Sequence, residues 1–157
     1  MTRIRRVISG GQTGADRGAW DAALDVGVPI GGWVPAGRWA EDGPIPPGYG
    51  ELPETAESDV AVRTERNARD SDATLILSHG PPTGGTAWTV KCAQRLRKPC
   101  LHLDLARIDE EESHRLAVAW IERHRIERLN IAGPRASDDP AIYPAVRRVL
   151  TRILQSP

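Results

Sequence analysis

Three segments of the chain combine glycine with hydroxyl, amide or charged side chains, a combination that suits the binding of an anion. They are residues 9–16 (SGGQTGAD), 79–86 (HGPPTGGT) and 132–137 (AGPRAS). Glycine lets the backbone approach a ligand closely, and free N–H groups at the start of a helix attract negative charge. The first segment is neither a GxGxxG fingerprint nor a Walker A motif, since no lysine follows its last glycine. We therefore expect binding of a phosphate or another oxyanion, with ordinary tight turns as the alternative.

The predicted ligand contacts come mainly from these segments. Two further arginines and an asparagine lie outside them, and Arg63 and Asn67 share one face of a predicted helix because they are four residues apart. An arginine can hold an oxyanion through two parallel hydrogen bonds, although an arginine in a loop is often only solvated. The predicted set is Gly10, Gly11, Gln12, Thr13, Gly14, Asp16, Arg38, Arg63, Asn67, Gly80, Thr83, Gly84, Gly85, Thr86, Gly133, Arg135 and Ser137.

Familiar catalytic arrangements are not evident in the sequence. There is no GxSxG nucleophile elbow, and the four histidines show no metal-binding spacing. Cys92 and Cys100 fall inside predicted regular elements, so we expect both to be core thiols, and we predict no metal ligands. Asp16 and Glu41 are the candidates for a carboxylate base, although Asp16 could equally cap its helix. His79 is a further candidate for acid–base chemistry because it is the first residue of the second segment.

Strands and helices alternate about five times along the chain. Apolar β-branched runs predict strands over residues 4–8, 30–34, 73–78, 100–103 and 128–132, and helical spacing predicts helices over 15–26, 59–70, 86–97 and 109–124. Asp139 and Pro140 fit an N-cap and a first-turn proline of a final helix, and Pro144 must lie in the first turn of that helix or mark its true start. Residues 35–53 are too rich in proline and glycine for a helix or a central strand, and we expect an ordered loop there. This order predicts one α/β domain over residues 1–157, with a mostly parallel sheet and helices on both faces.

The three glycine-containing segments follow strands of this predicted sheet. In such sheets ligands bind beyond the carboxyl ends of the strands. We therefore expect the three segments to form one shared site at that edge.

The composition limits the classes of function. The 157 residues include 21 Lys or Arg and 21 Asp or Glu, and this balance argues against nucleic-acid binding through bulk basicity. The chain is 39% hydrophobic and 27% charged, which is typical of a globular domain. No apolar run approaches the roughly 18 residues of a membrane span, and no signal peptide is recognised. Two cysteines without zinc spacing favour a reducing, cytoplasmic setting.

The net charge of zero is the sum of a basic and an acidic stretch of the sequence. Residues 1–18 carry four arginines against one aspartate, whereas residues 41–59 carry six acidic residues and no basic one. If the two blocks meet in space, the acidic block can pair with arginines when no ligand is bound. Neutralising Glu41 and Asp42 would then change the affinity for a ligand.

Six blocks of the sequence resemble the molybdenum carrier protein family. They are residues 8–16 (ISGGQTGAD), 37–46 (GRWAEDGPIP), 63–67 (RTERN), 70–72 (DSD), 83–86 (TGGT) and 130–137 (NIAGPRAS), in this order across nearly the whole chain. The resemblance implies a Rossmann-like fold of the lysine-decarboxylase-like, cytokinin-activating superfamily, which binds nucleotide-related ligands at Gly/Thr-rich loops. It also implies a homo-oligomer, either a dimer or a tetramer.

The ligand that this resemblance implies is molybdenum cofactor, a pterin that carries a phosphate and a dithiolene-held oxo-metal. Backbone N–H groups and arginine would suit its anionic oxygens. Related hydrolases of nucleotide monophosphates carry a PGGxGT loop and then a catalytic glutamate in the helix. Here residues 83–90 (TGGTAWTV) resemble the loop, but Lys91 is the first charged residue in the helix. We therefore predict a carrier or binding protein, with a phosphoribohydrolase-like hydrolase or transferase as the alternative.

Overall fold

The computed structural model describes residues 3–156. In chain order its elements are β1 (Arg6–Ile8), α1 (Ala15–Asp25), β2 (Ile30–Gly31), β3 (Trp39–Ala40), β4 (Gly43–Pro44), α2 (Val60–Arg69), β5 (Ala73–Ser78), α3 (Gly84–Arg95), β6 (Cys100–Asp104), α4 (Glu110–His124), β7 (Arg128–Ala132) and α5 (Ile142–Leu154). Five strands form one parallel sheet in the order β2-β1-β7-β5-β6, and β3 pairs with β4 as a separate antiparallel hairpin. The predicted α/β architecture is confirmed.

The helices cover both faces of the sheet. Helices α1 and α4 pack against α5 on one face, and α2 packs against α3 on the other, as right-handed crossovers between parallel strands require. All six residues of β5 are buried, in keeping with a strand that is covered on both sides. The main core lies between the sheet and α1, α4 and α5. No helix within residues 3–156 is long and apolar enough to cross a membrane.

Most of the predicted elements appear within one or two residues of their expected limits. Strands β5 and β7 have the predicted limits, and the Asp109 side chain caps α4 by accepting a hydrogen bond from the Glu112 amide at 2.8 Å. Helix α3 begins at Gly84 rather than at Thr86. Asp139 accepts a hydrogen bond from the Ala141 amide at 3.0 Å just before α5, and Pro144 lies in the first turn of that helix.

The second strand is shorter than expected. The sequence predicts a strand over 30–34, but β2 ends at Gly31. The next residue, Gly32, has a φ of +127° and lies so close to the first strand's loop that an added Cβ would be 2.1 Å from the Ser9 carbonyl oxygen. The chain therefore leaves the sheet at this point, and Val34 forms only an isolated parallel bridge with Glu54.

Residues 32–58 form an ordered strap that packs onto α1. The strap contains two short 3-10 turns, Ala36–Arg38 and Pro47–Tyr49, and the β3–β4 hairpin. Val34 and Ile45 are buried against Trp20, and the Tyr49 ring lies 5.1 Å from that of Trp20. Neither a long helix nor a central strand occurs within the strap, and the expectation of an ordered loop is confirmed.

Candidate functional site

A cavity of about 330 Å³ lies beside the segments that follow β1, β5 and β7. This volume is near the lower end of the range for small-molecule sites. Residues from all three glycine-containing segments and from α2 line it: Gln12, Asp16, Val60, Arg63, Thr64, Thr83, Gly84, Gly85, Thr86, Thr89, Ala132, Gly133, Pro134, Arg135 and Asp138. Gly10 and Asn67 line a small adjoining cleft that shares Asp16 and Arg63 with the cavity. The folding of a parallel sheet thus brings the predicted segments to one edge.

The first turn of α3 supplies unused hydrogen-bond donors to the cavity. Thr83 occupies the N-cap position, but its side chain makes no capping hydrogen bond. The backbone N–H groups of Gly84 and Gly85 have no partner within residues 3–156. A Cβ added at either glycine would meet no atom within 4 Å. This helix therefore presents two free amides and the positive end of its dipole to open space.

Arg63 crosses from α2 to the backbone that follows β1. Its guanidinium lies where a side chain at position 10 would stand, because a Cβ on Gly10 would be 1.8 Å from the Arg63 Nη1 atom. Nη1 lies 3.5 Å from the Asp16 Oδ2 atom. The Nε atom is buried and has no hydrogen-bond partner among the described residues. Arg63 is thus held in place, with one buried donor left unpaired among the described residues.

Asp16 is buried at the start of α1 and also lines the cavity. Burial raises the pKa of its carboxyl, and the Arg63 charge, hydrogen bonds from the Gln12 and Gly10 backbone, and Arg17 oppose that rise. Its Oδ2 atom accepts a hydrogen bond from the Gln12 amide at 3.2 Å. Asp16 does not cap α1, because the N-cap residue is Gly14 and no side chain caps this helix. Its carboxylate instead closes the loop before α1 and lies beside the space where a ligand would bind.

The loop after β1 uses much of its own hydrogen-bonding capacity internally. The Gly11 amide donates to Ser9 Oγ at 3.3 Å, and the Thr13 amide donates to Gln12 Oε1 at 3.0 Å. Gly14 has a φ of +81°, and a Cβ there would lie 2.5 Å from the Pro134 carbonyl oxygen. Gly11 and Gly14 therefore serve the tight packing of the loops, and neither residue lines the cavity.

The Glu41 carboxylate accepts hydrogen bonds from donors in the loops after β1 and β7. Thr13 Oγ1 donates to its carboxylate, the Ser137 amide and hydroxyl donate at 3.1 and 2.5 Å, and Arg135 Nε lies 3.6 Å away. The Ser137 and Thr13 hydroxyls lower the pKa of the Glu41 carboxyl, burial opposes this, and the Ser137 amide and the Arg135 charge assist. The backbone amide of Glu41 also donates to Gln12 Oε1 at 2.9 Å.

The two charge blocks meet here, which fulfils the condition stated for their pairing. Asp42, the neighbour of Glu41, forms a two-point ion pair with Arg17 at 2.6 and 2.8 Å. Arg17 also donates to the Gly11 carbonyl oxygen at 3.1 Å. The strap is therefore fastened to the site by its acidic residues.

Several predicted residues lie outside the cavity. Arg38 donates to the carbonyl oxygens of Gly50, Ile45 and Pro46 and so holds the strap together. Buried Asn67 accepts from the Trp33 amide at 2.6 Å and donates to the Trp33 carbonyl oxygen at 3.0 Å. The Gly80 amide donates to Asp104 at 2.8 Å. None of these three side chains or amides is left free for a ligand in the main cavity.

Two further comparisons with the sequence concern His79 and the walls of the cavity. His79 Nδ1 lies 2.6 Å from Asp139 and does not line the cavity. Six residues outside the predicted contact set also line it: Val60, Thr64, Thr89, Ala132, Pro134 and Asp138. Thr64 is the neighbour of Arg63 in sequence, and helical spacing could have found Val60, which lies three residues before Arg63 on the same helix.

Comparisons with known proteins agree with this architecture. The model of the circularly permutated YpsA SLOG family matches residues 7–154. A crystal structure of a "Putative molybdenum carrier protein" from Syntrophus aciditrophicus SB is 51% identical, with a TM-score of 0.95, and the alignment covers 97% of this chain and 96% of that chain. No curated protein matches. The resemblance found in the sequence blocks is confirmed, and the chain belongs to the circularly permutated YpsA SLOG family.

Proposed function

We propose that this protein is a small-molecule carrier that holds an anionic, phosphate-bearing ligand in the cavity beside α3. The observation that carries the proposal is the pair of free amides of Gly84 and Gly85 at the start of a 12-residue helix. Arg63 lines the same cavity with an unpartnered Nε, and it adds a full positive charge. Amides at a helix start and an arginine together suit a phosphate group.

The cargo that we propose is molybdenum cofactor, because the similar protein from Syntrophus aciditrophicus is named a molybdenum carrier. The cavity offers amides, threonine hydroxyls and arginines, which suit the phosphate and the anionic oxygens of such a ligand. Within residues 3–156 no group of three or more His, Cys, Asp or Glu side chains could hold a metal ion. A dithiolene supplies its own sulfur ligands to the metal, so the donors present here fit this cargo.

The protein would bind the cargo through its own residues in three ways. The Gly84 and Gly85 amides would donate to phosphate oxygens, and Arg63 would supply charge beside them. Val60 and Pro134 would pack against the less polar part of the ligand, since both line the same cavity. Asp16 would keep Arg63 in position through the 3.5 Å contact with Nη1.

The test compares Arg63→Gln with wild type by calorimetric titration with molybdenum cofactor and with a panel of nucleoside phosphates. Losing one charged hydrogen-bonding partner should weaken binding by about ten- to a hundredfold. Arg69→Gln is the matched control, because Arg69 lies on the same helix, is 55% exposed and pairs with Asp70. Equal losses in the two variants, or unchanged binding in Arg63→Gln, would contradict the proposed site.

A nucleotide-processing hydrolase or transferase remains the second candidate because of Asp16. Its carboxyl lines the cavity and its pKa is raised, which are properties of a general base. Glu41, the other carboxylate considered, does not line the cavity and is fully engaged with Thr13 and Ser137. Turnover of a nucleotide by wild type that is abolished in Asp16→Asn, with ligand affinity retained, would favour the enzyme over the carrier.

A further inference from the structure

The Glu41 carboxylate is surrounded by hydrogen-bond donors from two loops of the main sheet. Its two oxygens receive hydrogen bonds from the Thr13 hydroxyl and from both the amide and the hydroxyl of Ser137. Arg135 Nε lies 3.6 Å from the second oxygen. Two hydroxyl donors, one backbone amide and one guanidinium around a single carboxylate form a complete anion-binding set.

These donors come from elements that do not need Glu41 to be placed. Thr13 Oγ1 also accepts a hydrogen bond from the Ala136 amide at 3.1 Å, which links the loops after β1 and β7 directly. The Ala15 amide donates to the Pro134 carbonyl oxygen at 3.1 Å and joins the same loops again. Arg135 is held by Asp138 at 3.1 Å. The donor set should therefore persist when the glutamate is removed.

Glu41 lies in the short turn of the β3–β4 hairpin, between Ala40 and Gly43. Strands β3 and β4 have two residues each, and Glu41 follows directly after β3. Asp42, the residue after Glu41, also ties the hairpin to the site through its ion pair with Arg17. The carboxylate is thus delivered by a small element, whereas its donors belong to loops of the main sheet.

We propose that Thr13, Ser137 and Arg135 form a second anion-binding subsite and that Glu41 occupies it as an internal competitor. The subsite adjoins the main cavity, because Arg135 lines that cavity and Gln12 both lines it and binds the Glu41 amide. A ligand with two anionic groups would place one beside Gly84 and Gly85 and the other in this subsite, after displacing Glu41. This inference adds to the proposed function but does not require it.

The experiment titrates inorganic phosphate into wild type, Glu41→Ala and Asp42→Ala. Asp42→Ala is the matched control, because it removes the same charge from the same hairpin while Glu41 keeps its contacts with Thr13, Ser137 and Gln12. Glu41→Ala should bind phosphate about tenfold more tightly than either other protein, and Ser137→Ala in the Glu41→Ala background should reverse most of the gain. Equal gains in Glu41→Ala and Asp42→Ala, or no gain in either, would overturn the inference.

A second background separates this inference from the proposed function. In Arg63→Gln, the gain caused by Glu41→Ala should persist, because Arg63 does not contact the Glu41 carboxylate. Loss of the gain in this background would assign it to the main cavity and overturn the second subsite. If wild type fails to bind phosphate but Glu41→Ala binds it, the proposed main site fails and the second subsite stands.

Melting temperature is measured for each variant so that loss of folding is recognised. Should Glu41→Ala unfold, Glu41→Gln replaces it, since glutamine keeps the shape of the side chain and removes only its charge. The gain should then be smaller but in the same direction. Unchanged phosphate binding in a folded Glu41→Gln protein would count against the internal-competitor role.

Discussion

Replacing Gly14 with alanine should destabilise the protein through two separable effects. The φ of Gly14 is +81° and its ψ is −125°, a backbone region almost restricted to glycine that costs an L-residue about 2 kcal/mol. The added Cβ would also stand 2.5 Å from the Pro134 carbonyl oxygen and 2.8 Å from the Ala136 amide nitrogen. Backbone atoms must move to relieve such overlap, which costs roughly 1–3 kcal/mol more. We therefore expect a total loss of about 3–5 kcal/mol in the free energy of unfolding.

Gly27→Ala provides a control for the effect of a positive φ without crowding. Gly27 has a φ of +77°, and a Cβ there would meet no atom within 4 Å. This variant should lose only about 1–2 kcal/mol, which corresponds to a fall in Tm of roughly 2–8 °C in a domain of this size. Any benefit from reduced freedom of the unfolded chain is shared by both variants.

The assay is urea-induced unfolding of both variants and wild type, with Tm as a second measurement. Gly14→Ala should be less stable than Gly27→Ala by about 1–3 kcal/mol, the contribution of the crowded loops. Its ligand affinity should also fall, because the same loops line the cavity. Equal losses of stability in the two variants would refute the argument that close packing of the loops after β1 and β7 positions the site.

Three other substitutions test single contacts. Asn67→Ala should lower the free energy of unfolding by about 2 kcal/mol or more in urea denaturation, since it leaves the Trp33 amide and carbonyl oxygen without their partner. Burial raises the folded-state pKa of Asp16, so ionisation of this carboxyl destabilises the fold as pH rises above the unfolded value of 3.8. The Tm of Asp16→Asn minus the Tm of wild type should therefore increase from pH 4 to pH 7. A constant difference would contradict this reasoning. The hydrogen bond from Arg17 lowers the folded-state pKa of Asp42, so the ionised carboxylate stabilises the fold above pH 3.8, and this stabilisation is lost as pH falls through the lower folded-state value. The Tm of wild type should therefore fall more than the Tm of Asp42→Asn when both are measured from pH 7 to pH 2.

The sequence predicted the sheet and its helices well because their signals are local. The six consecutive residues 73–78 are apolar or small and all lie buried in β5, and Asp109 caps α4 as its spacing from Glu112 suggests. The meeting of the three glycine-containing segments also followed from general geometry, since loops after parallel strands share one edge. Nine of the predicted contact residues line the main cavity.

The sequence could not show which donors and charges of the predicted site bind other protein groups and which remain for a ligand. Glu41 reaches Thr13 across 28 residues and Ser137 across 96, and no local pattern reports such contacts. Arg38 looks like an anion ligand in sequence, yet its guanidinium satisfies three carbonyl oxygens of the strap. Gly32 ends the second strand because of its approach to Ser9, which becomes apparent only once both segments are placed. Each miss reflects a tertiary contact that overrides a local preference.

The pairing of β1 with β7 has a consequence for the way in which the chain folds. Arg6 pairs with Arg128, and the first helix packs against the last. During synthesis, β1 and α1 leave the ribosome long before the strand and helix that complete their core. Until then β1 and α1 keep apolar surface exposed, and the large sequence separation between β1 and β7 slows formation of the sheet. The nascent chain should accordingly be a chaperone substrate until α5 has emerged.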